Sequence, residues 1–166
     1  MAAAIERNGG TQPDERTVFL VSGGAKGITA ACVVALSERY GSRFILVGRS
    51  DFDEGPEPAW AEDGRDERTL RRLAITRLQA RGEKPDPHTV RVMVRRVRSR
   101  REIGATLRAV AAAGGEAVYV SVDVTEGSAL RAAVDEGLYR LGADKVEGVI
   151  HGAGVIADRR IEEKTA

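Results

Sequence analysis

The stretch Thr17-Val18-Phe19-Leu20-Val21-Ser22-Gly23-Gly24-Ala25-Lys26-Gly27-Ile28-Thr29 decides how the rest of the chain is read. Its four consecutive apolar, β-favouring residues, 18–21, suit a strand buried on both faces, as strands of a parallel sheet are. Glycines follow at once. From Ile28 the apolar residues Ala31, Val34, Ala35 and Leu36 recur near helical spacing as far as Tyr40, with Gly41 in the C-cap position. Strand, glycine loop and helix thus stand in order, and such a turn gathers backbone N–H groups and the positive end of a helix at one point. That is an arrangement suited to a pyrophosphate. Glycine is required where a Cβ would block the turn or the approach of a ligand, so Gly23, Gly24, Ala25, Lys26, Gly27 and Ile28 are candidate contacts. A purely steric strand-to-helix turn can carry the same glycines, and the remaining positions must decide between the two readings.

Working outward, Phe44-Ile45-Leu46-Val47 repeats the buried-strand signature, so strand, helix and strand form a βαβ unit. Asp51 to Gly64 holds six acidic residues, two prolines and no basic residue, and reads as an acidic surface loop that Trp60 pins down. Asp66 to Arg81 places Leu70, Leu73, Ala74 and Leu78 on one helical face. Asp86-Pro87 supplies an N-cap and first-turn proline for a second helix carrying Val90, Val94, Val97, Leu107 and Val110, with a break near Arg101 to Gly104 left open. Val118 to Val122 is a third strand, Ser128 to Leu141 a helix with Leu130, Val134 and Leu138 inward, and Val146 to His151 a fourth strand. Ile156 to Ala166 reads as the opening of a further helix.

This alternation predicts an α/β fold: a Rossmann-like doubly wound parallel sheet, its first half only, with about four strands in the order 3-2-1-4 and a helical insert after the second strand. Residues 1–16 read as a flexible lead-in. Residues 17–166 read as one partial dinucleotide-binding domain, within which 51–104 form the acidic loop and a basic helical insert.

Composition narrows the function. The chain has 166 residues, 42% of them hydrophobic, and a net charge of +1, which gives no global attraction to nucleic acid or membrane. Cys32 is the single cysteine, which excludes an internal disulfide, and no Cys/His cluster has metal-site spacing. With neither an apolar leader nor a membrane span in the pattern, a cytoplasmic setting is expected. Charge is local instead: residues 65–102 hold thirteen Arg/Lys against five acids. Nucleic acid would use such a run, but aromatic residues for base stacking are missing from it. A docking face for an acidic carrier protein is the other reading.

The ends of the other strands extend the site. Gly48-Arg49-Ser50 closes the second strand, where this fold reads the adenosine ribose; an acid there would accept from both ribose hydroxyls, whereas arginine pairs with a 2′-phosphate. Lys26 reaches for the same phosphate, so NADP(H) is favoured over NAD(H). Asp123-Val124 ends the third strand, where Asp123 serves either as an acceptor for the adenine amino group or as a turn residue. His151-Gly152-Ala153-Gly154 ends the fourth, with His151 read as structural or cofactor-lining rather than as a general base.

These pieces together resemble the short-chain dehydrogenase/reductase superfamily, and within it the ketoreductase domains of polyketide and polyunsaturated fatty acid synthases. The resemblance rests on SGGAKGIT (22–29), LVGRS (46–50), VDVT (122–125) and HGAGVI (151–156), and runs from Thr17 to the end. It implies a phosphate loop of Gly23, Gly24, Lys26, Gly27 and Ile28, a 2′-phosphate held by Arg49 and Ser50, adenine flanked by Asp123 and Val124, and a nicotinamide side supported by Gly152, Ala153 and Gly154. Thr29 departs from the pattern, which usually has a glycine there. The family's catalytic serine, tyrosine and lysine are expected beyond the fourth strand, past Ala166, and Lys164 stands too close to the 152–154 turn to match that lysine. No catalytic residue is assigned, and this chain alone is expected to be inactive. The resemblance further implies a β-ketoacyl reductase whose partners are the remainder of its domain and an acyl substrate on a carrier protein, with self-association expected of a half-sheet. The alternative is a non-catalytic reductase-like subdomain that braces a synthase.

Overall fold

The computed structural model describes residues 12–154. Within them the order is β1 (Val18–Ser22), α1 (Gly27–Tyr40), β2 (Arg43–Gly48), a 3-10 turn (Ala59–Ala61), α2 (Glu67–Ala80), α3 (Pro87–Ala112), β3 (Glu116–Ser121), α4 (Gly127–Leu141) and β4 (Gly148–His151). The four strands form one parallel sheet in the order β3-β2-β1-β4, the predicted topology.

Side chains alternate across β2, and the alternation builds a core on each face. Ile45 and Val47 join Val18, Val118, Val120 and α4 on one side. Phe44 and Leu46 join Val21, Val33 of α1, and Ile103 and Val110 of α3 on the other. All four of these β2 residues are buried, which is why the central strand reads as an unbroken apolar run. The edge strand β4 alternates between half-buried and exposed, and Val149 is 70% exposed.

Two helices seat differently from their sequence reading. On α4 the buried residues are Ala133, Gly137 and Leu141, while Leu130 and Leu138 pack at the margin of that face. Gly137 is the cause: a Cβ there would lie 2.6 Å from Ile45, so its absence lets α4 settle onto β2 along its small residues. On α1 the buried residues are Ala30, Val33 and Ser37, whereas Ala31 and Ala35 face outward.

The third helix is unbroken through Arg101 to Gly104. A mid-helix glycine costs about 1 kcal/mol relative to alanine, but Ile103 is fully buried and Phe52 lies over Gly104, so packing holds the turn closed. Its length lets α3 serve two cores. Val90, Val94 and Val97 meet Leu70, Ala74 and Leu78 of α2 in a third cluster, with Trp60 packed against it. Ile103, Thr106 and Val110, on the continuing helix, turn to the sheet and α1.

The acidic loop folds back on this basic helix. Asp51, Asp53 and Glu57 pair with Arg96, Arg100 and Arg101, and Glu54 with Arg140. Exposed pairs of this kind contribute little each, about 0–1 kcal/mol. Arg101 does more because it is partly buried and also donates to the carbonyls of Ala61 and Gly64. At the other end, Asp14 accepts from the backbone of Arg16 and Thr17, and the Ser42 hydroxyl donates to its carbonyl, so residues 14–16 lie on the body. The expected helix at 156–166, with Lys164, falls outside the described residues, as does Met1 to Thr11 of the lead-in.

Candidate nucleotide-binding site

Because β1 is flanked by β2 on one side and β4 on the other, the chain reverses its winding beside β1, and the carboxyl ends of these strands open on one crevice. The glycine loop sits at that point. The Gly23 N–H donates to the Val47 carbonyl (2.8 Å), which ties the loop to β2. Gly23 has φ +68°, and a Cβ on it would lie 3.0 Å from the backbone of Gly152 and Ala153. Gly27 also has a positive φ, +62°, but a Cβ there would meet nothing within 4 Å. Gly23 is therefore required by both conformation and space, and Gly27 by conformation alone, on a face left open.

The helix that follows begins without a side-chain cap and without an acidic residue in its first turn. By contrast, α2 and α3 are each capped by an aspartate, Asp66 and Asp86. The leading N–H groups of α1 thus retain their capacity to meet an anion. Ile28 stands 86% exposed in that same turn.

Around Lys26 three elements converge. Its ammonium donates to the Ser50 hydroxyl at 2.9 Å and to the Ser99 hydroxyl of α3 at 3.1 Å. The loop carrying Ser50 is held in turn by Tyr119, whose hydroxyl donates to the Ser50 carbonyl at 2.9 Å. Burial pushes the Tyr119 phenol up from its ordinary value, so it stays a neutral donor. A third tie comes from Thr106 of α3, which donates to the Ala25 carbonyl at 2.9 Å. Arg49 is exposed and takes part in no ion pair among the described residues.

The site residues read from sequence are largely brought together: the glycine loop, Gly48 to Ser50, and 151–154 all rim one crevice. Asp123 is held locally. Its Oδ1 accepts from the backbone N–H and the hydroxyl of Thr125, and those bonds, with a smaller contribution from Arg49, keep its carboxyl below the usual range. Val124 packs against the core under the sheet. His151 bonds through Nδ1 to the Ser22 hydroxyl at 2.7 Å, and that oxygen also accepts from the Ala153 N–H at 3.3 Å. Ser22 thereby joins the ends of β1 and β4.

Thr29 finds its place through Gly152. A Cβ on Gly152 would lie 2.6 Å from the Thr29 methyl, so the β-branched Thr29 is accommodated because the facing loop carries glycine there. Sequence reasoning missed Ser22, Ser99 and Thr106. Ser99 and Thr106 lie seven residues apart on the face that carries Ile103 and Val110, a spacing that marks one helical stripe. Among the described residues no group of His, Cys, Asp and Glu has the arrangement of a metal site, and no helix is long and apolar enough to cross a membrane.

A family model described as the KR domain matches residues 17–166. One of the subunits of the polyunsaturated fatty acid synthase of Thraustochytrium sp. (strain ATCC 26185 / S-3) is 35% identical over 153 residues, which cover 89% of this chain and 5% of that protein. The chain therefore spans a small part of the relative it matches. Among solved structures, a ketoreductase domain from the bacillaene assembly line superposes with a TM-score of 0.54 at 22% identity, covering 93% of this chain and 26% of that one. Two dehydrogenases share the fold at comparable similarity. Carveol dehydrogenase from Mycobacterium avium, in complex with NAD, has a TM-score of 0.52 at 20% identity, covering 90% of this chain and 40% of that one. A dehydrogenase from Burkholderia cenocepacia with bound NADP has a TM-score of 0.51 at 18% identity, covering 91% and 38%.

Proposed function

The chain belongs to the KR-domain family, and on that premise we propose that it is the NADP(H)-binding portion of a synthase ketoreductase of the short-chain dehydrogenase/reductase type, whose whole domain reduces a carrier-bound β-keto group to a β-hydroxyl. The observation that carries the cofactor choice is the cationic end of β2. Lys26 lies there between two serine hydroxyls with no carboxylate in ion-pair range among the described residues, and Arg49 is the chain neighbour of one of those serines, Ser50. A cation that folding leaves without a counter-ion is suited to one supplied by a ligand, and the 2′-phosphate is the group that distinguishes NADP(H) at this point of the fold.

The cradle fits the rest of the cofactor as well. Gly27 leaves open space where a side chain would stand, and the uncapped start of α1 faces the crevice with its N–H groups. When bound, the nicotinamide supplies a hydride to the ketone carbon. The chain's own part is to bind and orient. The glycine loop holds the pyrophosphate, Arg49, Ser50 and Lys26 hold the 2′-phosphate, and Gly152, Ala153 and Gly154, fastened through Ser22, shape the nicotinamide side. The proton for the new alkoxide is assigned to none of the described side chains.

The partners follow from the same reading. The remainder of the ketoreductase domain pairs along β4, where among the described residues only β1 is a neighbour and Val149 is exposed. That free edge is also where isolated chains would self-associate. Nucleic acid is disfavoured, since six arginines of the basic run (71, 81, 96, 98, 100 and 101) are engaged by carboxylates of this chain.

Titration with NADPH and NADH, beside an Arg49→Ala variant, tests the proposal. NADPH is expected to bind more tightly, and the variant to weaken NADPH by about 10- to 100-fold with little effect on NADH, as loss of a charge-assisted phosphate contact implies. Equal affinities for the two cofactors in the unaltered protein would overturn the 2′-phosphate assignment, and binding of neither would instead favour the bracing subdomain.

A further inference from the structure

Resting on that reading, we infer that the helical insert contributes directly to cofactor selection: Ser99 of α3 is the third wall of the 2′-phosphate subsite, with Lys26 and Ser50 as the other two.

An ammonium has three N–H groups, and Lys26 spends two of them on Ser50 Oγ and Ser99 Oγ. Each serine oxygen therefore accepts, and its own proton must go to another acceptor. Among the described residues neither hydroxyl finds one. One remaining N–H and two O–H groups are thus grouped around a single cation. Three donors and a positive charge match the oxygens of a phosphate, each of which accepts more than one hydrogen bond.

Burial separates Ser99 from an incidental surface contact. It is 7% exposed, on a helix stretch whose other polar residues are largely arginines turned to solvent. It also borders a groove of about 320 Å³ between α2 and α3, where Glu67 pairs with Arg71 and Arg98 and where Glu102, Arg91 and Arg95 also stand. Thr106, two turns further along, fixes the helix to the Ala25 carbonyl, so Ser99 is held at constant height over the glycine loop. The insert is thereby part of the nucleotide site rather than a decoration on it.

The test uses adenosine 2′,5′-bisphosphate and adenosine 5′-monophosphate, which differ only in the 2′-phosphate and need none of the nicotinamide side. Ser99→Ala is expected to weaken the bisphosphate by roughly three- to tenfold, as loss of one hydrogen bond implies, and to leave the monophosphate unchanged. Ser99→Thr, which keeps the hydroxyl, restores the discrimination. In a Lys26→Met background, Ser99→Ala has a smaller effect, because the two residues act together. Equal weakening of both nucleotides, or of neither, overturns the inference and would make Ser99 a packing residue only. Failure of the unaltered protein to prefer the bisphosphate is a different result: it overturns the NADP(H) reading itself, and this inference with it.

Discussion

Residues 87–98 of α3 lie against α2 through Val90, Val94 and Val97, whereas residues 99–112 lie against the sheet and α1 through Ile103, Thr106 and Val110. The first half is part of a two-helix insert whose outer surface is rich in arginine, where Arg96 pairs with Asp51 of the acidic loop and Arg98 with Glu67 of α2. The second half is an ordinary layer of a doubly wound domain. A single helix about 39 Å long, at 1.5 Å per residue, therefore connects a region that could have been independent to the glycine loop. The difference teaches that the insert is mechanically continuous with the site, and that its first residue on the sheet side, Ser99, is the one that touches Lys26.

Three changes would sharpen or break this comparison. The largest effect is expected from Ile103→Ala, at the point where α3 passes from one partner to the other. Ile103 is fully buried in the sheet core, so its truncation should cost about 2–5 kcal/mol in a single cooperative denaturant transition. A transition that split into two, with the insert unaffected, would show that the halves of α3 fold independently.

A smaller and local effect is expected from Arg101→Ala, which removes the ion pair with Glu57 and the bonds to the Ala61 and Gly64 carbonyls. The cost should be about 1–2 kcal/mol, reduced by the partial exposure of the guanidinium. Hydrogen exchange should quicken across 57–70 while the amides of β1 and β2 keep their protection. Equal loss of protection in β2 would contradict the local role.

The smallest effect is electrostatic. Asp66 is held below its ordinary value of 3.8 by the backbone and then the hydroxyl of Thr69, and Asp86 likewise by the hydroxyl and then the backbone of Thr89. A folded-state value below the unfolded one means that the caps stabilise fully above about pH 4, and that this contribution is lost as pH falls through the lowered values. Exchange at 67–70 and 88–90, corrected for its intrinsic pH dependence, should therefore accelerate as pH falls below about 4. Residues 99–112 have no such cap and should change less; a uniform change along α3 would argue against separable halves.

Much of the fold was legible because it depends on patterns within short stretches. Phe44 to Val47 reads as a central strand because neighbours cover both of its faces, and Asp86-Pro87 reads as a helix start because cap and fixed φ act locally. The inward face of α4 was not legible in the same way. Hydrophobicity points to Leu130, Val134 and Leu138, but closeness of approach favours Ala133 and Gly137, and only the position of Ile45 across the gap shows it.

The candidate site divides along the same line. Sequence alone determined the glycine loop, the arginine at the end of β2 and the topology that brings them together, since a positive φ, a charge and an alternation of elements are each recorded in the residues themselves. Tertiary structure alone decided that Thr29 is accommodated by Gly152, that Ser22 joins His151 across two strands, and that Ser99 meets Lys26 across 73 residues of chain. Those are contacts between residues far apart in sequence and ordinary in type. A serine or a threonine carries no mark of its partner until packing selects one face of α3 and sets it over the loop.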